Sequence, residues 1–182
     1  MAKANLSKAL VATAYHEAGH AVIAWVHRVG LREVSIIPDA DAGTLGHCGR
    51  YRWPSFAPDA GLDARTERRA MNLMMVHLAG REAERRFTGR YNHIGAAADL
   101  ETAYTLAAYV TGDTDPETAA FLHWLTLRTR RALGIHWIAV EALATTLLNA
   151  QRLDGKQVRE VILGAFDQAG NASRAERHAR QQ

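Results

Sequence analysis

One stretch near the start of the chain restricts the fold more than any other. Between residues 7 and 28, Leu10, Val11, Ala14, Ala18, Ala21, Val22, Trp25 and, just beyond, Val29 recur at spacings of three and four. That is the repeat of a helix turning one face to a core. Ser7 stands where an N-cap oxygen is needed and Gly30 where a helix stops. A helix this apolar is stable only with other elements packed on it. Beside its stripe, in "TAYHEAGHAVIAWVH", sit His16 and His20, with Glu17 directly after the first.

The remainder of the chain offers mostly helices to pack there. Residues 63 to 87 run from Asp63, an N-cap, through Ala70, Leu73, Met74, Val76, His77, Leu78 and Ala83 to a stop at Gly89. A helix over 99–110 closes at Gly112. The next opens with Asp115 as N-cap and Pro116 at the first helical position, and ends at Gly134. A fifth covers "IHWIAVEALATTLLNAQ", and a sixth "LDGKQVREVILGAFDQ" with Asp154 as its cap. Only "REVSIIP" and "TLGHCGRYRW", separated by the turn residues "DADAG", read as extended, which predicts a two-stranded ribbon or small sheet. Pro54, Pro58 and Gly61 mark an aperiodic loop. The expected fold is mainly α, an array of about six helices with a small β-ribbon. It forms a single domain over residues 1–170, with a disordered tail over 171–182, where "NASRAERHARQQ" has no apolar stripe.

A chain of 182 residues is long enough to bury its own core, and its 48% hydrophobic and 23% charged residues exclude disorder, collagen and coiled coil for the whole. A net charge of +3, with no clustering of arginines among aromatics, argues against nucleic acid as a partner. The single cysteine, Cys48, excludes an intrachain disulfide and a Cys-rich zinc site, and fits a reducing compartment. No apolar run approaches the roughly 18 to 20 residues that span a bilayer, and the stretch at 9–14 is too short for a signal peptide. The expectation is a cytoplasmic protein with no membrane segment.

On a helix, residues four apart are rotated by about 400°, so His16 and His20 project along nearly one line and both imidazoles can reach one ion. Zn²⁺ suits such a pair; a catalytic zinc takes three protein ligands and leaves the remaining position to water. Glu17, rotated about 100° from His16, can reach that water as general base without ligating the ion. Hydrolysis of an amide bond is the matching chemistry. The same residues also permit a plainer reading, a helix with two solvated or hydrogen-bonded histidines. The third ligand is the test. A metzincin needs glycine and histidine where this chain has Ile23 and Val26, and His27 is one step out of phase. A carboxylate from a second helix is the alternative, with Glu82, Glu84, Asp99 and Glu101 as candidates.

"TAYHEAGHAVIAW", "VSIIP" followed by "AGTLGHC", "LAGREAERRF", "GAAADLETAYTLA" and "AVEALATTLLNAQRLDGKQVREVI" stand in an order and at spacings that resemble the peptidase domain of FtsH-type ATP-dependent zinc metalloproteases. The resemblance implies one zinc ion per chain, held by His16, His20 and Asp99, the last as the aspartate of a small-small-Asp-Leu helix start. An ionised Asp99 is favoured near a helix N-terminus; without the resemblance it reads as a helix-capping residue. The resemblance also brings Glu84 near the zinc, where it would orient a ligand histidine, against a surface charge pairing with Arg81, Arg85 or Arg86. It makes "TLGHC" the strand beside the active site, whose edge can pair with an extended peptide. Peptides or unfolded protein are then the substrate, and a homo-oligomeric ring or a separate ATPase a partner, because this chain carries no Walker-type "GxxxxGK[ST]". The contrasting function is a catalytically weak or inactive domain serving as an interaction or adaptor module. His27, His47, His77, His93, His123, His136 and His178 show no ligand spacing and read as core or surface residues, with His47 and His93 flanking the expected site.

Overall fold

In a computed structural model of the chain, residues 7–38, 45–50, 61, 63–93 and 95–179 are described. The expected turn at 39–43, the end of the second extended segment at 51–53 and the loop residues 54–60 lie outside them. The elements are α1 (Lys8–Val26), β1 (Leu31–Ser35), β2 (His47–Arg50), α2 (Ala64–Thr88), α3 (Ala97–Thr111), α4 (Asp115–Ile135), α5 (Trp137–Ala150), β3 (Arg152–Asp154) and α6 (Gly155–Ala179). The fold is mainly helical with one small antiparallel sheet.

The expected caps set several boundaries. Ser7 Oγ accepts from the Leu10 N–H at 3.1 Å and Asp63 Oδ1 from the Thr66 N–H at 2.6 Å, so α1 and α2 each start with a bonded side chain. Gly89 (φ 78°) and Gly112 (φ 72°) end α2 and α3 in the left-handed region that favours glycine. Asp154 Oδ1 accepts from the Lys156 and Gln157 N–H groups at the start of α6.

α1 is the centre of the molecule. It packs chiefly on α2 and α5, and every residue from Ala18 to Ala24 is buried. Ile23, Met74, Leu78, Leu143 and Leu147 are among the largest side chains with almost no exposure. At an apolar burial value of about 25 cal/mol per Å², large side chains sealed this way supply most of the drive for assembly. The α1–α2 crossing is close because it is made of small residues. A Cβ at Gly19 would collide with Ala83 Cβ and the Ala79 carbonyl. The two backbones therefore approach at the turn that carries His16 and His20.

Several boundaries depart from the sequence reading. Of the two alternatives, ribbon or small sheet, the second holds: among the described residues there are three strands in the order β2-β1-β3, with β1 paired antiparallel to both neighbours and β3 unforeseen. β3 is too short for periodicity to reveal; only Leu153 of its three residues is buried. α1 ends through Arg28 (φ 56°) and not Gly30, because Val29, 3% exposed, has to enter the core and the chain must turn before it. α4 is preceded by Thr114 as N-cap and runs through Gly134; His136 alone separates it from α5, and the two helices meet at a 77° bend. An interior glycine costs a helix only about 1 kcal/mol, so Gly134 is no stop by itself. α6 continues to Ala179, so residues 171–179 are helical where a disordered tail was expected. Alanine, arginine and glutamate extend an existing helix well without an apolar stripe.

Candidate metal centre

Three side chains from two distant parts of the chain converge between α1, α2 and α3. One ligand atom from each of His16, His20 and Asp99 lies within 4.8 Å of the other two. His16 Nε2 is 3.3 Å and His20 Nε2 3.1 Å from Asp99 Oδ2, and the rings stand 4.7 Å apart between centroids. The helix repeat stacks the two histidines one turn apart, and α3 starts so that Asp99, in its first turn, faces them.

The outward nitrogens fix how the rings face inward. His20 Nδ1–H donates to the Val76 carbonyl at 2.6 Å, and a carbonyl can only accept. His16 Nδ1–H donates to Glu84 Oε2 at 3.0 Å. Each ring thus points Nε2 at the Asp99 carboxylate, and three acceptors meet with no protein donor between them. Such a set calls for a cation. Burial works to lower the His16 pKa, but the hydrogen bonds with Asp99 and Glu84 overturn it and carry the value up to about 10, so a proton fills that role when nothing else does. Burial raises the Asp99 pKa, but the closeness of the His20, His16 and His77 imidazoles holds it well below the usual carboxylate range.

The backbone leaves room for something larger than a proton. A Cβ at Gly80 would overlap the Nε2 atoms of both His20 and His16. Glycine at this position keeps open the space between the two nitrogens. The donor set of two imidazoles and one carboxylate, with that space, fits a divalent ion such as zinc.

Glu17 is 6% exposed, and its Oε2 has no hydrogen-bond partner among the described residues. Burial raises its pKa, opposed by the charges of His20 and His16. Gly46, just before β2, lies against it closely enough that a Cβ there would crowd Glu17 Oε1 and Cγ. A cleft of about 1310 Å³ opens along this wall, lined among others by Glu17, His47, Cys48, His77, Phe87 and Asp99. Burial also pushes the Cys48 thiol up, which keeps it protonated.

The remaining candidate carboxylates separate cleanly. Glu84 is buried and bound to His16, not paired with its arginine neighbours. Glu82 is buried away from the cluster, where it accepts from Arg130 Nε at 2.7 Å and Tyr91 OH at 3.2 Å. Glu101 is exposed. His47 pairs with Glu33 at 3.2 Å and His93 packs beside Tyr91, so neither joins the three.

Two residues escaped the sequence reading. His77, read there as a core or surface histidine, places Nδ1 2.8 Å from Asp99 Oδ1 and Nε2 2.8 Å from Arg50 Nη2. Burial and the Arg50 charge hold its pKa below the ordinary value despite Asp99. Gly80 is the other. A signal for both was present: His77, Gly80 and Glu84 are spaced by three and four, the repeat of one helix face.

Residues 4–112, which contain every side chain of this cluster, match peptidase family M41. The chain is also similar to the ATP-dependent zinc metalloprotease YME1L1 of Mus musculus, 28% identical over 181 residues that cover 84% of this chain and 24% of that protein. The Homo sapiens protein of the same name is 28% identical, with 84% of this chain and 22% of that protein covered. The chain thus spans less than a quarter of the length of these curated relatives. Among the described residues no single helix is long and apolar enough to cross a membrane. With a family match over more than half its length that includes the paired histidines of α1, the chain belongs to peptidase family M41.

Proposed function

We propose that this chain is a zinc metallopeptidase domain that hydrolyses peptide bonds in peptides or already unfolded protein. The observation that carries the reading is the meeting of His16 Nε2, His20 Nε2 and Asp99 Oδ2 beside the buried, unpartnered Glu17. His16, His20 and Asp99 hold the ion, and Glu84 orients His16 through Nδ1. Zinc in such a site acts as a Lewis acid on a carbonyl and lowers the pKa of water toward about 7. Glu17 takes the proton from the attacking water and returns it to the leaving amine. A buried carboxylate with Oε2 free of any partner among the described residues is placed to accept and release that proton.

The sheet positions the substrate. Among the described residues β2 is an edge strand, and its His47, Cys48 and Arg50 line the cleft, so an extended peptide can add to it and lie across Glu17. The relatives are ATP-dependent by name, and this sequence has no Walker-type phosphate loop. ATP-driven unfolding would come from an ATPase module outside these 182 residues, acting on this domain alone or on a homo-oligomeric ring of it.

Glu17→Gln tests the reading. The variant is expected to retain zinc at wild-type stoichiometry by elemental analysis while cleavage of an unstructured protein such as casein falls by about 10² to 10⁴-fold. Equal cleavage rates for the variant and the wild type would remove Glu17 from the chemistry. Zinc retained by a wild-type chain that turns over no peptide would instead favour a binding module.

A further inference from the structure

We propose that His77 is a positioning residue for Asp99: its Nδ1–H holds one carboxylate oxygen, Arg50 fixes the tautomer that allows this, and the other oxygen is thereby turned toward His16 and His20. The inference rests on the metal site proposed above.

The two Asp99 oxygens have separate partners. Oδ2 faces His16 Nε2 and His20 Nε2 at 3.3 and 3.1 Å, whereas Oδ1 is 2.8 Å from His77 Nδ1. The tautomer follows from what lies on the far side of the ring. A guanidinium has five donors and no acceptor. Arg50 Nη2, 2.8 Å from His77 Nε2, can only donate, so Nε2 carries the lone pair and the ring hydrogen sits on Nδ1. That hydrogen points at Oδ1.

The arrangement has work to do. Asp99 is the third residue of α3, where an acidic side chain ordinarily reaches back to the backbone at the helix start. The N-cap residue, Ala96, receives no side-chain cap. A carboxylate with an unmet local partner on one side and a cleft on the other needs a reason to face inward, and His77 supplies it. The same logic is repeated along α2. Glu84 holds His16, the Val76 carbonyl holds His20, and His77 holds Asp99, so each of the three converging side chains has an outer partner on this helix. Arg50 ends β2, so the relay also joins the strand beside the cleft to Asp99.

Three variants of the 182-residue chain test this. His77→Phe keeps the ring volume and removes both nitrogens; His77→Asn keeps a donor close to the place of Nδ1; Asp99→Asn probes the site itself. Zn²⁺ affinity is measured by competition with a chromophoric chelator, and the coordination geometry by the visible absorption of the Co²⁺-loaded protein. His77→Phe is expected to weaken Zn²⁺ binding about 10 to 100-fold, the usual effect of losing an outer hydrogen bond to a ligand, and to alter the Co²⁺ spectrum. His77→Asn is expected to recover most of the affinity and the wild-type spectrum. Asp99→Asn separates the two levels of argument. Wild-type Zn²⁺ affinity in that variant would overturn the metal site itself. Loss of binding there, with wild-type affinity and spectrum in His77→Phe, would leave the site standing and overturn the role of His77. Should the Phe variant fail to fold, Arg50→Met carries the test, since it leaves the ring in place with its tautomer free. Several-fold weaker Zn²⁺ binding supports the relay, and unchanged affinity and spectrum overturn it.

Discussion

Glu82 and Glu84 are two residues apart on α2 and both are buried, yet they belong to opposite kinds of site. Around Glu82 donors are in excess: Arg130 and Tyr91 bond its carboxylate, Arg81 and Arg85 lie within 3.4 Å, and both of these guanidinium groups stack on the Tyr91 ring. Around Glu84 acceptors are in excess, because the chain of contacts through His16 ends on Asp99 Oδ2, which no guanidinium or ammonium group among the described residues reaches. The first cluster carries its own cations and ties α4 to α2. The second is complete only with a positive charge supplied from elsewhere. Burial alone does not distinguish a structural carboxylate from a functional one; the balance of donors and acceptors does.

The sharpest way to break this contrast is Gly80→Ala. The added methyl occupies the space between the two imidazoles, so Zn²⁺ affinity is expected to fall by more than about 10²-fold, beyond the loss of a single outer contact. A chelator titration reads this directly. Arg130→Met attacks the other cluster. It is expected to destabilise the chain by about 2 to 3 kcal/mol, below the 3 to 5 of a fully buried pair because Arg130 is 37% exposed. Denaturant unfolding measures that loss, and Zn²⁺ affinity of the folded variant should not move. The smallest effect belongs to Glu84→Gln, which keeps an acceptor for His16 Nδ1 but removes its charge. Here the affinity is expected to weaken about tenfold with stability nearly unchanged, and equal losses of both would erase the distinction between the clusters.

Much of this was legible from residue order. The caps at Ser7, Asp63 and Asp154 and the stops at Gly89 and Gly112 are local signals, and they survive folding because they depend on a few neighbouring atoms. The spacing of His16, Glu17 and His20 is local in the same sense. The third partner is not. Asp99 lies 79 residues beyond His20, and only the resemblance to known peptidase domains singled it out among four carboxylates. β3 was hidden because three residues hold too little pattern, and its pairing with β1 is long-range. His77 was passed over because a histidine within an apolar helix pattern is ordinarily core; its meaning depends on Arg50 and Asp99, from two other elements. Without the resemblance Glu82 and Glu84 read alike as candidate carboxylates, and the 200° between them on a helix sends one to α4 and the other to α1.

The support that α2 gives to His16, His20 and Asp99 makes their errors correlated. Three ligands braced from independent loops would wander independently, and the chance of all three being in place together would be the product of three separate chances. Braced from one rod, they share its few rigid-body motions, so a slide or roll of α2 disturbs all of them at once and its absence preserves all of them at once. Tolerance for mutation should therefore be lowest not at the cleft's rim but along the single line of contact where α2 lies on α1, at Gly19, Ala79 and Ala83.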